Sequence, residues 1–156
     1  MHKEAFLQCA MGAERTLYRV AKTILRSDAD CADAVQEALL KGLSHAALLR
    51  NEQYAKTWLT RILINTCKDM ARKSARSQTV ALTDILPAPD KREQRELYEA
   101  LRTLDEQLRL PLVLHYLEGF PVKEIAHMLR TPEGTIKRRL WQARQEMKER
   151  LTEEEI

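Results

Sequence analysis

Two apolar helical repeats meet at a short break between residues 120 and 144, and this pattern constrains the fold more than any other part of the sequence. The first repeat has the spacing i, i+3, i+4 and i+7, and the second has i, i+4, i+7 and i+11. Between them stand Thr131, which can serve as a helix N-cap, and Pro132, which suits the first helical position. The repeats consist of Val122, Ile125, Ala126 and Leu129, and of Ile136, Leu140, Ala143 and Met147. Two short helices and a tight turn predict a helix-turn-helix, whose second helix can enter the major groove of DNA.

The outer face of the second helix carries residue types that read and grip duplex DNA. With about 100° of rotation per residue, Arg138 points almost directly away from the apolar stripe. The outward set also contains Gly134, Trp141, Gln142 and Gln145, and the flanks carry Lys137, Arg139 and Arg144. Amides and bidentate donors suit base edges, whereas cations beside them suit phosphates. The alternative is a solvated basic face, but the preceding turn and an outward Trp141 favour DNA binding.

Composition and patterning predict a wholly helical protein. The chain has only 4 Gly, 5 Pro and 2 Phe, and no alternating apolar pattern extends beyond a few residues. The helical period fails between Ser74 and Asp90, where Pro87 and Pro89 forbid a helix near the end, so this stretch is predicted to be a linker. The predicted fold class is therefore all-α, with two small helical domains joined by a linker.

The first two predicted helices differ in the charge of their outer faces. The helix over residues 4–26 has a cationic row that is either a solvated face or a binding surface: Arg15, Arg19, Lys22 and Arg26. The helix Asp30–Gly42 has an acidic and amide face with an apolar residue inside it: Asp33, Gln36, Glu37 and Leu40. Such a patch suits the docking of another protein, although an ordinary surface can have the same composition.

The third predicted helix, Ala55–Arg76, has an aromatic residue at the head of a polar row. The row is Trp58, Arg61, Asn65, Lys68 and Arg72, at spacings of 3, 4, 3 and 4. Between Lys56 and Arg76, six cations stand against Asp69 alone. Single-stranded nucleic acid is held in this way, with bases stacked on aromatic rings and phosphates matched by cations. The alternative is that Trp58 covers the core beneath cations whose aliphatic stems pack on it.

Motifs for catalysis, metal binding and export are missing from the sequence. It contains no P-loop, no G-x-S-x-G, no H-E-x-x-H, and its four histidines are scattered. Cys9, Cys31 and Cys67 are odd in number and far apart, which predicts reduced, mostly buried thiols. No signal peptide and no membrane-spanning run is recognisable. We therefore expect a cytoplasmic protein that is not an enzyme, has no cofactor or metal, and does not insert into a membrane.

Four motifs in order make the chain resemble the extracytoplasmic-function (ECF) sigma factors, the smallest kind of bacterial sigma factor. They are Asp33-Ala34-Val35-Gln36-Glu37; Trp58-Leu59 with Asn65, Asp69 and Arg72; Glu124-Ile125-Ala126; and Gly134-Thr135-Ile136-Lys137 with Ala143-Arg144. Each motif is weak alone, whereas all four at the family's spacing are specific and cover nearly the whole chain. The resemblance implies a sigma domain 2 over residues 1–76, a linker over 77–91 and a sigma domain 4 over 92–156.

The resemblance also implies a role for each surface. Core RNA polymerase would be bound by Asp33, Gln36, Glu37 and Leu40. The −10 promoter element would be held single-stranded by Trp58, Arg61, Asn65, Lys68 and Arg72, with Asn51 in the preceding loop near an extruded base. The duplex −35 element would be read by Lys137, Arg138, Trp141 and Gln142, with Arg139 and Arg144 nearer the backbone. Phosphates would meet the start of the same helix at Thr131, Gly134 and Thr135.

In this interpretation the protein binds core polymerase and directs promoter-specific initiation without catalysis of its own. Proteins of this family are commonly held inactive by an anti-sigma factor, and the apolar linker residues Val80, Leu82, Ile85 and Leu86 would suit such a partner. The chain departs from the family pattern at Ala32, where an acidic residue is common, and at Leu39, where an aromatic is usual. It also has Arg130 at a turn position often occupied by Gly, which predicts a strained or altered turn.

Two other classes of protein are compatible with parts of the pattern. A helix-turn-helix regulator that binds operator DNA as a dimer would explain the C-terminal half but would leave the acidic patch and the Trp58 row without a role. A helical adaptor or sequestering protein predicts no DNA binding at all.

Overall fold

A computed structural model describes residues 1–77 and 92–154, with side chains described at 1–74 and 96–151. Within these ranges every regular element is helical, which confirms the predicted all-α class. The α-helices are α1 (Lys3–Ile24), α2 (Asp28–Ser44), α3 (Ala55–Ser77), α4 (Arg92–Arg102), α5 (Glu106–Leu112), α6 (Val122–Leu129) and α7 (Glu133–Glu154). Short 3-10 turns span Ala46–Leu48 and Glu52–Tyr54, and a π-helical segment spans Val113–Leu117. The helix α3 continues to Ser77, so the prediction that the helical period fails from Ser74 is wrong for its first four residues. The rest of the predicted linker lies outside the described residues.

The chain divides into two compact units, Met1–Ile85 and Leu86–Ile156. The first unit is a bundle of α1, α2 and α3 in which each helix packs on the other two. Ser27 begins α2 as its N-cap, because its hydroxyl oxygen accepts a hydrogen bond from the Asp30 N–H at 3.2 Å. The core consists mainly of Phe6, Leu17, Val20, Ala34, Ala38, Leu59, Leu63 and Ile64.

The helical period of α3 predicts one apolar stripe, which consists of Leu59, Ile62, Leu63, Thr66 and Met70. Because α3 contacts both other helices, it is buried over a wider arc than this stripe. Leu59, Leu63 and Thr66 are buried as predicted, but Ile62 and Met70 are only half-buried. Thr60, Ile64 and Cys67 are fully buried, although they lie off the stripe. A helix between two neighbours needs two inward faces, and a single 3.6-residue period reveals one.

Gly42 allows the closest approach in the first unit. A Cβ atom at this position would lie 2.6 Å from the Phe6 Cζ atom and 3.1 Å from the Leu59 Cδ1 atom. The Phe6 ring in turn forms a T-shaped pair with Trp58, with the ring centroids 6.1 Å apart and the planes at 79°. A glycine on α2 therefore lets an α1 ring reach the aromatic residue at the head of the α3 row.

In the second unit, the apolar spacing of Leu108, Leu112, Val113 and Tyr116 predicts a helix over residues 106–118. The structure is α-helical only to Leu112. From Val113 it widens into the π-helical segment, where the Glu118 N–H donates to the Val113 carbonyl at 3.0 Å. Pro111 precedes the change; it has no N–H to donate, and its ring crowds the carbonyl four residues earlier. The chain is therefore helical from Glu106 to Leu117, with a change from α- to π-helical hydrogen bonding at Val113. Gly119, at φ 79°, ends the segment.

The helix-turn-helix packs through the stripe predicted for α7. Ile136, Leu140, Ala143 and Met147 are all buried. On α6 the prediction holds for Ile125 and Ala126, but Val122 and Leu129 are half-buried. Met128 occupies the deep position instead, at 2% exposure. Helix α6 has only eight residues, so a small rotation about its axis is enough to bury Met128 in place of its neighbour Leu129.

Candidate nucleic-acid interface

The turn of the helix-turn-helix is closed by backbone hydrogen bonds around Arg130. Its N–H donates to the His127 carbonyl at 3.4 Å, and the Thr131 N–H donates to the Ala126 carbonyl at 3.0 Å. This pairing is a Schellman motif, in which the residue after the helix adopts the left-handed conformation. Arg130 does so at φ 51° and ψ 47°, where glycine is usual. The turn therefore has the unfavourable backbone conformation that the sequence predicted for this arginine.

The start of α7 differs by one residue from the prediction. The helix begins at Glu133, and its first backbone bond runs from the Ile136 N–H to the Pro132 carbonyl at 3.1 Å. The Thr131 hydroxyl donates to the Leu129 carbonyl at 3.0 Å, so it stabilises the turn and does not accept from the helix. The prediction of Thr131 as N-cap is therefore wrong, because the Schellman closure places this residue outside α7.

The outer face of α7 is open to solvent. Lys137, Arg138, Trp141 and Gln142 are exposed, as are Gly134 and Gln145, whereas Thr135 and Arg139 are half-buried. Trp141 has 58% of its surface exposed, which is unusual for a residue of this size. In the described part of the chain, Arg138 has no hydrogen bond or ion pair, so its five donors are available to a ligand.

Arg144 is placed differently from the rest of the predicted −35 set. Its guanidinium donates to the Tyr116 hydroxyl and lies 5.8 Å from the centroid of the Tyr116 ring. Tyr116 belongs to the π-helical segment that follows α5. The pair therefore joins Arg144 of α7 to that segment. A phosphate contact at Arg144 would compete with this intramolecular pair or share the guanidinium with it.

The α3 row is partly built into the core of the first unit. Trp58, Arg61 and Lys68 are half-buried, whereas Asn65 and Arg72 are exposed. Trp58 packs on Phe6, and Arg72 forms an ion pair with Asp69 one turn earlier on α3. The two sequence interpretations of Trp58 are thus compatible, since the half-buried indole contacts the core residue Phe6 and keeps part of its surface accessible.

The loop before α3 adds an aromatic residue to this surface. Asn51, which is exposed, begins the 3-10 turn Glu52–Tyr54 by accepting the Gln53 N–H at its Oδ1 atom, at 3.0 Å. Tyr54 lies at the end of the same turn with 46% of its surface exposed. Sequence reasoning did not select Tyr54, and the available signal was an aromatic residue in a polar segment four residues before Trp58.

The acidic face of α2 is exposed at all four predicted positions, Asp33, Gln36, Glu37 and Leu40. Leu40 has 61% of its surface exposed. Glu37 is bridged to Lys41, whose ammonium lies 3.1 Å from the Glu37 Oε1 atom and 3.4 Å from the Thr66 hydroxyl. An apolar side chain surrounded by polar groups gives this face the composition of a protein-binding patch.

The second unit has an apolar groove of about 420 Å³ beside the C-terminal part of α7. Its walls come from α4, the α5 region and α7: Leu97, Leu101, Leu112, Val113, Tyr116, Leu117, Arg144, Met147, Lys148 and Leu151. Tyr116, Leu117 and Leu151 are each more than 40% exposed. A groove of this kind fits the apolar face of an amphipathic helix.

Among the described residues, no histidines, thiols and carboxylates form a cluster that could hold a metal ion. Cys31 and Cys67 are buried, and Cys9 is half-buried. Burial raises the pKa of the Cys9 thiol, and the Lys56 ammonium lowers that pKa by a smaller amount. None of the described helices is long and apolar enough to cross a membrane.

Comparisons with known proteins match both units. The family model for Sigma-70 region 2 matches residues 12–77, and the model for Sigma-70 region 4 matches residues 94–147. The chain is 33% identical to the ECF RNA polymerase sigma factor SigM of Mycobacterium tuberculosis, over 90% of this chain and 74% of SigM. It is 28% identical to the RNA polymerase sigma factor SigV of Bacillus subtilis, over 99% of this chain and 95% of SigV.

Two solved structures have a similar fold. The sigma factor RpoE of Bartonella quintana, solved in complex with the anti-sigma factor NepR, matches with a TM-score of 0.83 and 25% identity, over 94% of this chain and 96% of RpoE. CnrH, solved in complex with the cytosolic domain of CnrY, matches with a TM-score of 0.74 and 21% identity, over 97% of this chain and 90% of CnrH.

Proposed function

The chain belongs to the ECF sigma factors, which direct core RNA polymerase to promoters, and on this premise we propose which of its surfaces carries out each step. The protein is a transcription initiation factor and not an enzyme. A dimeric operator-binding regulator or a helical adaptor would leave the region 2 match over residues 12–77 unexplained.

We infer that sigma domain 2 spans residues 1–76, the linker 77–91 and sigma domain 4 residues 92–156. The matched ranges of the two family models, 12–77 and 94–147, support this division. The end of α3 at Ser77 and the start of α4 at Arg92 support it independently.

Domain 4 reads the duplex −35 element through the outer face of α7. Lys137, Arg138, Trp141 and Gln142 face the base edges, because all four are exposed, the last three opposite the buried stripe and Lys137 on its flank. Arg139 and Arg144 lie on the flanks, toward the backbone. The start of α7, at Thr131, Gly134 and Thr135, receives a phosphate, although Thr131 must then exchange its bond to the Leu129 carbonyl.

Domain 2 holds the opened −10 element through α3 and its preceding loop. Trp58 offers its accessible ring face to an unstacked base, and the rest of the row contacts the strand through Arg61, Asn65, Lys68 and Arg72. Asn51 and Tyr54 extend this surface in the loop, where an extruded base would lie. Capture of unstacked bases offsets part of the cost of melting the promoter.

Two protein-binding surfaces complete the proposal. The face of Asp33, Gln36, Glu37 and Leu40 docks on core polymerase. The apolar groove of domain 4 receives an amphipathic helix of a protein partner, and an anti-sigma factor that occupied either surface would keep the protein inactive. The structure of the relative RpoE with NepR supports such a partner. Because the work of the protein is on the chromosome, we place it in the cytoplasm.

The outward, unpaired Arg138 at the centre of the α7 face is the observation that carries the −35 assignment. It can be tested by promoter-dependent transcription with core polymerase, with and without the protein. Arg138→Ala should weaken use of the −35 element by about 1–3 kcal/mol and relax specificity at one base position. Lys3→Ala, an exposed cation of the other unit, is the control. Unchanged promoter choice in Arg138→Ala would contradict the assignment.

A further inference from the structure

The proposed −35 surface includes Arg144 but not Tyr116, the residue that holds it. The Arg144 guanidinium donates to the Tyr116 hydroxyl and lies 5.8 Å from the centroid of the Tyr116 ring. Both side chains are exposed to solvent. In the described part of the chain Arg144 forms no ion pair, so the fold does not neutralise its charge.

The fold also holds the Tyr116 ring through a second contact. The His115 ring forms a T-shaped pair with it, with the ring centroids 4.9 Å apart and the planes at 78°. The His115 Nδ1 atom lies 2.9 Å from the Phe120 carbonyl oxygen, which anchors the imidazole. His115 and Tyr116 belong to the π-helical segment, and such segments are frequent at functional sites. Tyr116 is therefore a fixed point that restrains the longer Arg144 side chain.

The pair of Tyr116 and Arg144 has hydrogen-bond donors to offer an anion. A guanidinium has five N–H donors, and among the described residues the hydrogen bonding of Arg144 is limited to Tyr116. The Tyr116 oxygen accepts from Arg144, which leaves its own O–H able to donate. Arginine and tyrosine both contact phosphate oxygens in protein–DNA complexes. The two side chains together therefore present donors and one positive charge to a single phosphate.

The position of the pair on α7 favours DNA over a protein carboxylate. Arg144 follows Lys137 by seven residues, which is nearly two helical turns, so the two cations share one side of α7 about 10 Å apart. Lys137 is exposed and belongs to the proposed −35 face. Tyr116 and Arg144 also line the groove of domain 4, but a helix in that groove would meet mainly apolar side chains.

We propose that Tyr116 and Arg144 together bind one backbone phosphate of the −35 element. Tyr116 positions the guanidinium before DNA arrives, which lowers the cost of ordering it, and donates its own O–H to the same phosphate. The −35 site then extends beyond the helix-turn-helix onto the π-helical segment. This inference rests on the proposed function, since it requires α7 to meet duplex DNA.

Phosphate ethylation interference on a −35 promoter duplex tests the proposal with the holoenzyme. Ethylation neutralises one phosphate at a time, and the positions at which it weakens binding mark the contacts. We expect Tyr116→Phe and Arg144→Gln to lose interference at the same single phosphate and to keep it at the others. A tyrosine that only supported the fold would not erase one position selectively.

Promoter affinity separates the contributions of the two side chains. Tyr116→Phe removes a hydrogen bond but no charge, so it should lower affinity about 2- to 12-fold and keep the salt dependence. Arg144→Gln removes a cation, so it should also reduce the magnitude of the slope of log K against log salt by about 0.9. The double variant should lose less than the product of the two single effects, because both side chains act on one phosphate.

Tyr98→Phe is the matched control, because it removes another tyrosine hydroxyl from the same unit, on α4. It should preserve every interference position. Affinity for core polymerase, measured without DNA, should be unchanged in all variants.

The proposal is overturned if both variants keep the wild-type interference pattern, or if they lose interference at different phosphates. It is also overturned if they keep promoter contacts but bind core polymerase less tightly, which would assign the pair to a carboxylate of a protein in the groove. If the wild-type holoenzyme shows no interference around the −35 element, the proposed function of α7 fails first, and that result is distinct from an unchanged pattern in the variants.

Discussion

The two helices that we propose face DNA, α3 and α7, present their candidate binding residues in opposite ways. On α7 the buried stripe and the outward face are separate, and Trp141 has 58% of its surface exposed. On α3 three of the five row residues are half-buried, and Trp58 forms a T-shaped pair with Phe6. The α7 face can therefore change without disturbing its domain, whereas the α3 row combines binding with support of the core.

This difference suits the two proposed substrates. Duplex DNA offers a preformed groove, so a helix that reads it needs outward side chains on a stable scaffold. A single strand has no shape of its own, and the protein must supply a rigid platform on which its bases stack. The contact between Phe6 and Trp58 provides that rigidity. Substitutions on the two helices should therefore affect folding stability and DNA binding to different extents.

The largest effect is expected from Trp58→Ala. The variant removes both the platform and the edge contact with Phe6, so the first unit should lose about 2–3 kcal/mol of stability as well as the stacking of a base. Hydrogen exchange of the full chain reports the stability of each unit separately. Trp58→Phe is the matched control, because it keeps an aromatic ring at the position. A Trp58→Ala protein with wild-type protection in α1 and α2 would show that the indole belongs to the surface alone.

Gly42→Ala tests whether the platform depends on packing behind it. The new Cβ atom would lie 2.6 Å from the Phe6 ring, so Phe6 must shift, and overpacking of this kind costs about 1–3 kcal/mol. We expect weaker protection of the first unit and weaker opening of the −10 element, with −35 binding intact. Gly12→Ala is the control, since nothing lies within 4 Å of a Cβ atom there. If Gly42→Ala and Gly12→Ala have the same effect on protection and on −10 opening, base stacking on Trp58 does not depend on the close contact between Gly42 and Phe6.

The same contrast explains which parts of the structure the sequence could predict. The α7 stripe was predicted fully because one buried face produces one clean period, and its outward face then followed. The α3 stripe was incomplete because Thr60, Ile64 and Cys67 face a second neighbour. The contact of Arg144 with Tyr116 was not predictable, because it depends on the π-helical segment that follows Pro111.

The turn was predicted from a single residue type. Arg130 stood where glycine is common, and the structure places it at φ 51°. The N-cap role of Thr131 was wrong because two hydrogen-bonding schemes compete for this residue. The sequence identifies Thr131 as a candidate cap of α7. In the structure its N–H donates to the Ala126 carbonyl and its hydroxyl to the Leu129 carbonyl, so both groups close the end of α6 instead.

A smaller effect is expected from Arg130→Gly. Glycine adopts the left-handed conformation without the Cβ clash, although it also gains freedom in the unfolded chain. We expect the second unit to become more stable by about 0.5–1 kcal/mol, as measured by hydrogen exchange in α6 and α7. Arg130→Ala keeps the clash and is the control. If glycine and alanine have equal effects, the turn does not store backbone strain.

The smallest effect on stability is expected from Trp141→Ala, which completes the comparison with Trp58. Because Trp141 contacts little of its own domain, the free energy of unfolding should change by no more than about 0.5 kcal/mol. Binding of −35 duplex by the holoenzyme should nevertheless weaken measurably. A loss of stability as large as that of Trp58→Ala would remove the distinction between the two helices.

Chemical footprinting of a promoter by holoenzymes carrying Trp58→Ala or Arg138→Ala tests the division of labour most directly. Protection of the −35 duplex and reactivity of unpaired thymines at the −10 element are read from the same sample. Our account predicts that Trp58→Ala keeps −35 protection while −10 opening is lost, and that Arg138→Ala loses −35 protection first. The assignment of duplex reading to α7 and strand holding to α3 is wrong if Trp58→Ala loses −35 protection but still opens the −10 element. It is equally wrong if Arg138→Ala loses −10 opening but keeps −35 protection.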